Sequence, residues 1–121
     1  MDKILESILH SGSVLAQNGI NHPLGDHHTP REEGEFLQKM ISCTRPQVSL
    51  EIGCAYGVSS LYICEALREV NATKHIIIDA YQHDIFAGIG LLNLQRAGYD
   101  DLIDFHSTLS YRALTYLIEG V

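Results

Sequence analysis

Apolar residues recur at helical spacing over residues 2–18, at Ile4, Leu5, Ile8 and Leu9 and then Val14 and Leu15, with a break at Ser11-Gly12-Ser13. A loop rich in Gly, Asn, Pro and His follows from Asn18 to Thr29. Thr29-Pro30-Arg31-Glu32 predicts a helix start, with Thr as N-cap, Pro at the first helical position and a Glu placed to close a capping box. The helix carries Phe36, Leu37, Met40 and Ile41 on one face, and Pro46 ends it ahead of a strand at 47–52. Beyond a glycine turn, Val58, Leu61, Tyr62, Leu67 and Val70 predict a helix that ends near Asn71. His75-Ile76-Ile77-Ile78-Asp79 reads as a short strand covered on both faces. Residues 84–97 return to helical spacing (Ile85, Phe86, Ile89, Leu92, Ala97), with Gly98 as the stop. Leu102 to His106 predicts a third strand, and 110–119 a last helix before Gly120.

Strand and helix thus alternate three times after a helical extension. That order predicts an α/β fold with parallel strands, crossover connections and helices on both faces of the sheet. Ligands of such open sheets bind beyond the carboxyl ends of the strands, and Glu51, Asp79 and His106 stand at those three ends.

Composition narrows the picture. The chain has 121 residues, enough for one domain, and is 45% hydrophobic and 19% charged. Its formal net charge is −7, and its eight Lys and Arg are scattered, so no basic patch points to nucleic acid. The longest nearly apolar run, Ile85 to Leu92, is too short to span a bilayer, and the N-terminus lacks a signal-peptide pattern. Cys43, Cys54 and Cys64 follow no metal-ligand spacing and read as reduced thiols of a cytoplasmic protein.

The candidate chemistry lies in Leu50-Glu51-Ile52-Gly53-Cys54-Ala55-Tyr56-Gly57-Val58-Ser59-Ser60. A strand ends in a carboxylate, passes through small residues and opens a helix, which lets backbone N–H groups approach a ligand. A dinucleotide fingerprint would need a third glycine where Val58 stands, and a bulky β-branched residue opposes that packing. The pattern E-x-G-x-x-x-G followed by Ser resembles motif I of the class I S-adenosylmethionine-dependent methyltransferases, especially the O-methyltransferase-like group.

The resemblance covers roughly residues 27–118 and implies the N-terminal half of a Rossmann-like, doubly wound, seven-stranded domain, with S-adenosyl-L-methionine as cofactor and a small-molecule acceptor. It places the helical extension and loop at 1–28 and the cofactor-binding half at 29–121. By it, Gly53 and Gly57 bring backbone close to the methionine moiety, with Cys54 and Ala55 between them. Glu51 orients the amino group, Ser59 donates to the methionine carboxylate, Asp79 accepts the ribose hydroxyls and Tyr81 packs against adenine. His106-Ser107-Thr108 lies beside the same ring, without the glycine usual there. No catalytic base is assigned within the chain.

Two other classes stay open: a nicotinamide-dependent oxidoreductase, which Val58 disfavours, and a non-catalytic module that keeps the fold. The His22, Asp26, His27 and His28 loop has no metal-site spacing and is expected to lie over the mouth of the site. Strand 47–52 is expected to present an unpaired apolar edge, so the chain is expected to be an N-terminal fragment that self-associates as a homo-oligomer.

Overall fold

In the computed structural model, which describes residues 1–26 and 28–119, Asp2 starts the first helix. Its Oδ1 accepts from the backbone N–H groups of Ile4 (2.9 Å) and Leu5 (3.0 Å), satisfying two donors that the helix leaves free. Helix α1 (Lys3–Ser11) ends at Gly12, where φ is +67°. That left-handed residue turns the chain out of the helix, so Val14 and Leu15 do not continue the helical extension as their spacing suggests. They lie in a short strand, β1 (Ser13–Leu15), paired antiparallel with β2 (Asn21–Pro23) inside the expected loop. The extension is also part of the main core: Leu5, Ile8 and Val14 are buried in the same cluster as Leu61 and Leu67.

Helix α2 (Arg31–Thr44) begins one residue later than expected, with Pro30 in extended geometry as its N-cap. Among the described residues no side-chain capping bond forms there, since Pro30 at φ −69° and ψ 159° has not yet entered the helix. Its packed face also differs. Gly34 and Ile41 are buried and Leu37 packs on the core, whereas Phe36 and Met40 are exposed. Gly34 sets this rotation, because a Cβ there would stand 2.5 Å from the ring of Tyr62. Arg45 takes a left-handed C-cap and Pro46 forbids another turn.

Strand β3 (Val48–Ile52), helix α3 (Val58–Glu69) and strand β4 (Lys74–Ile78) form the first crossover. Helix α4 (Ile89–Arg96), strand β5 (Ile103–His106) and helix α5 (Ser110–Glu119) complete the fold. The three long strands form one parallel sheet in the order β3-β4-β5, with Leu50 opposite Ile76 and Ile76 opposite Asp104. α4 starts later than the 84–97 periodicity suggests. Left-handed Ala87 (φ +52°) and Gly88 (φ +69°) interrupt the chain, leaving Ile85 and Phe86 in a turn.

Alternation along β3 separates the two faces of the sheet. Ser49 and Glu51 face α3, whereas Val48, Leu50 and Ile52 are 50%, 45% and 57% exposed on the other side. α5 covers part of that second face: the Tyr116 hydroxyl is 2.6 Å from His106 Nδ1, and Ile78 and Ala113 are buried apart from the main cluster. β3 has no partner on its outer side among the described residues. His27 and the Gly120 expected to stop α5 lie outside the described residues, and no described helix is long and apolar enough to cross a membrane.

Candidate functional site

The three long strands end side by side, which brings the Glu51, Asp79 and His106 regions to one rim. The turn leaving β3 is tightly wound: Gly53 has φ +87°, Ala55 φ +49° and Gly57 φ +92°. Ala55 carries a Cβ in a left-handed conformation, a strain of about 1 kcal/mol that its surroundings must offset. They do so from both sides of the peptide. Its N–H donates to Asp79 Oδ2 at 3.2 Å, and its carbonyl accepts from Gln82 Nε2 at 2.8 Å.

Asp79 is therefore first a clamp on the turn. Oδ2 accepts from the N–H of Cys54 at 3.0 Å, from Ala55 and from Gln82 Nε2 at 3.2 Å, while Oδ1 accepts from the N–H of Tyr81 at 3.0 Å. Burial works against the charged carboxyl, but the N–H groups of Cys54, Tyr81 and Ala55 and the Gln82 amide outweigh it and hold Asp79 below the usual carboxylate range. Three of these donors crowd Oδ2 and one meets Oδ1, so Oδ1 keeps an acceptor position. Both oxygens of Asp79 are thus already engaged, Oδ2 more heavily than Oδ1.

Two cavities meet at Gly53. The larger, about 240 Å³, is bounded by Leu24, His28, Thr29, Cys54, Tyr56, Ser59 and Phe86. The smaller, about 120 Å³, runs over the strand ends between Ile52, Ile78, Asp79, Tyr81, Thr108 and Leu109. A Cβ placed on Gly53 would meet nothing within 4 Å, so that glycine opens onto free space. Gly57 does not. Its Cβ position lies 3.1 Å from the carbonyl oxygen of Gly90, so its lack of a side chain lets α3 and α4 approach each other rather than a ligand.

Beneath the turn lies a polar chain. Glu51 accepts the hydroxyls of Ser59 and Ser60, and its Oε1 is 3.1 Å from Nε2 of His75, whose Nδ1 is 2.7 Å from Ser49 Oγ. Ser59 thus ties the cavity wall to Glu51. The Cys54 thiol, 3% exposed, is pushed up to about 12 mainly by burial, so it lines the cavity as a neutral group. Tyr56 and Phe86 meet edge-to-face, with centroids 5.2 Å apart, and form an aromatic wall. Tyr81 is 52% exposed, more open than a packing residue, and borders the smaller cavity. The polar loop reaches the site through His28 and Thr29.

Several contributors escape a reading of the sequence. Gln82 looks like a surface polar residue but is completely buried and also accepts from the N–H of Leu91 at 3.2 Å. Gly90 looks like a poor helix residue, yet a Cβ there would stand 2.3 Å from the Ala55 carbonyl oxygen. Phe86 is expected on a helix face, Ser60 closes the glycine-turn run without a role of its own, and His75 carries no motif.

The family model described as O-methyltransferase matches residues 7–121. The chain belongs to the O-methyltransferase family. Within that family, it is 30% identical over 98 residues to caffeoyl-CoA O-methyltransferase 1 of Eucalyptus globulus, covering 81% of this chain and 38% of that protein. Its fold matches an O-methyltransferase from Bacillus cereus solved in complex with SAH, with TM-score 0.72 and 22% identity, over 98% of this chain and 49% of that one. It equally matches the O-methyltransferase TomG from Streptomyces achromogenes in complex with SAM, with TM-score 0.72 and 21% identity, over 97% and 48%. The chain therefore spans about half the length of these O-methyltransferase structures and less of the curated relative.

Proposed function

We propose that residues 29–119 form the cofactor-binding half of an S-adenosylmethionine-dependent O-methyltransferase that acts on a small-molecule hydroxyl. The observation that carries this reading is the junction of two cavities at Gly53, between the strand-ending carboxylates Glu51 and Asp79. Family membership and the SAH and SAM held by the two solved relatives support it.

The residues present suit that cofactor. Open space at Gly53 accommodates its backbone-hugging middle, and the apolar strand ends with Tyr81 and Thr108 suit a flat purine. Glu51 supplies a negative charge for the ammonium, and Ser59, already bonded to Glu51, stands on the wall where the methionine carboxylate would lie. Ribose hydroxyls would reach Asp79 by competing with the Gln82 amide, the one side-chain donor among its four. When bound, the sulfonium supplies a methyl group activated for in-line attack by the acceptor oxygen. The chain's own contribution is placement and exclusion of water: the Tyr56–Phe86 wall and the His28–Thr29 loop close over the larger cavity. The free thiols Cys43, Cys54 and Cys64 support a reducing, cytoplasmic location.

Calorimetric titration of the chain with S-adenosylhomocysteine and, separately, with NADH tests the reading. Binding of the first and not the second is expected; binding of NADH alone overturns it in favour of an oxidoreductase. The free edge of β3, with its exposed Val48, Leu50 and Ile52, further supports a homo-oligomer formed through that edge.

A further inference from the structure

His75 lies in the middle strand, fully buried, and neither the family pattern nor the proposed transfer step uses it. Its strand register places it directly opposite Ser49, with Glu51 two residues further along β3 on the same face. The ring bridges the two: Nδ1 is 2.7 Å from Ser49 Oγ, and Nε2 is 3.1 Å from Glu51 Oε1. Glu51 then takes the hydroxyls of Ser60 on Oε1 and Ser59 on Oε2, and Ser59 stands on the wall of the larger cavity. A hydrogen-bonded chain, Ser49–His75–Glu51–Ser59, runs from the buried face of the sheet to that wall.

We propose that His75 is a positioning residue for cofactor binding: it holds Glu51 in the rotamer that reaches Ser59 and keeps its charge directly behind the cavity wall that Ser59 forms. This rests on the cofactor reading above. The chemistry of the chain assigns the protons. Toward a carboxylate oxygen, which accepts, Nε2 is assigned the hydrogen, and Nδ1 is then assigned to accept from the Ser49 hydroxyl. Among the described residues Glu51 meets this ring and the hydroxyls of Ser59 and Ser60, and no Lys or Arg competes there with a cationic ligand. Without the ring, Oε1 keeps the Ser60 hydroxyl alone, and only the two serines hold the side chain in place.

The test compares the 121-residue chain with its His75→Gln and His75→Leu variants by titration with S-adenosylhomocysteine, with thermal unfolding measured alongside. The amide nitrogen of Gln stands where Nε2 stood and restores the donor; Leu keeps bulk without it. His75→Leu is expected to weaken binding about tenfold, the scale of one hydrogen bond to a charged group. His75→Gln is expected to stay within about threefold of the unmodified chain, under 1 kcal/mol. Equal losses in both variants, or none in either, overturn the proposal. A second readout requires neither a variant nor a ligand: ring nitrogen-15 signals of the unmodified chain at neutral pH should show a protonated Nε2 and a bare Nδ1. The opposite tautomer overturns the positioning role by itself. Absence of homocysteine-analogue binding by a chain with the expected tautomer overturns the cofactor reading instead.

Discussion

Asp79 Oδ2 lies 3.0 Å from the backbone nitrogen of Cys54, and through that bond the end of β4 holds the turn that leaves β3. The same carboxylate serves Ala55 and Tyr81, so one side chain satisfies three backbone donors of two separate loops. Asp79→Ala leaves all three without that acceptor. We expect a loss of about 2–4 kcal/mol in urea-induced unfolding, together with loss of S-adenosylhomocysteine binding. A variant as stable as the original chain would show that the clamp is dispensable.

Acid should reveal the same clamp. The folded carboxyl titrates below the ordinary value of 3.8, so on acidification the unfolded chain takes up this proton first. The contribution of Asp79 to stability is complete above about pH 5 and is lost as the pH falls through its folded value. The stability gap between the original chain and Asp79→Asn is therefore expected to narrow between about pH 5 and pH 3. A gap that stays constant across that range contradicts the assignment.

Thiol labelling offers a direct view of the turn. Cys54 and Cys64 are buried, with thiols pushed up to about 12 chiefly by that burial, whereas Cys43 is exposed. Iodoacetamide at mildly alkaline pH should modify Cys43 alone in the folded chain and all three cysteines after denaturation, as read by mass spectrometry. Rapid native labelling of Cys54 would mean that the turn opens readily.

Gly90→Ala probes the approach of α4 to the turn. The added methyl group would stand 2.3 Å from the Ala55 carbonyl oxygen and 2.8 Å from Cys54 Sγ, so backbone must move. We expect about 1–3 kcal/mol of destabilisation in thermal unfolding and weaker cofactor binding, since the displaced residues form the site. Unchanged melting and affinity would place the contact elsewhere.

The exposed face and edge of β3 make a prediction about assembly. Light scattering across micromolar concentrations should show species larger than the monomer, and Leu50→Lys, which puts a charge on that face, should shift them toward the monomer. A clean monomer at every concentration removes the edge from consideration.

Much of this architecture was legible in the chain. Pro46 after an amphipathic run, the alternation through Val48, Leu50 and Ile52, and the apolar 76–78 run are local signals, and each became the expected element. The errors have local causes too. Strands β1 and β2 have three residues each, too few to display a period of two, and Val14 and Leu15 continue the helical spacing of α1 by coincidence. Ile85 and Phe86 kept helical spacing within a turn, because burial of an aromatic against Tyr56 imposes no period on its neighbours.

The order of strands and helices, their parallel arrangement and the placing of acids at strand ends follow from the sequence by itself, because they depend on neighbours a few residues apart. Where those acids point does not. The Asp79–Cys54 bond joins residues 25 apart, and the Glu51–His75 contact residues 24 apart. Both come from the register of β3 against β4. That register is a property of the packed sheet, set when the α3 face of both strands is buried together. Only then does Asp79 become a clamp, Gly57 a packing contact and His75 the support of Glu51.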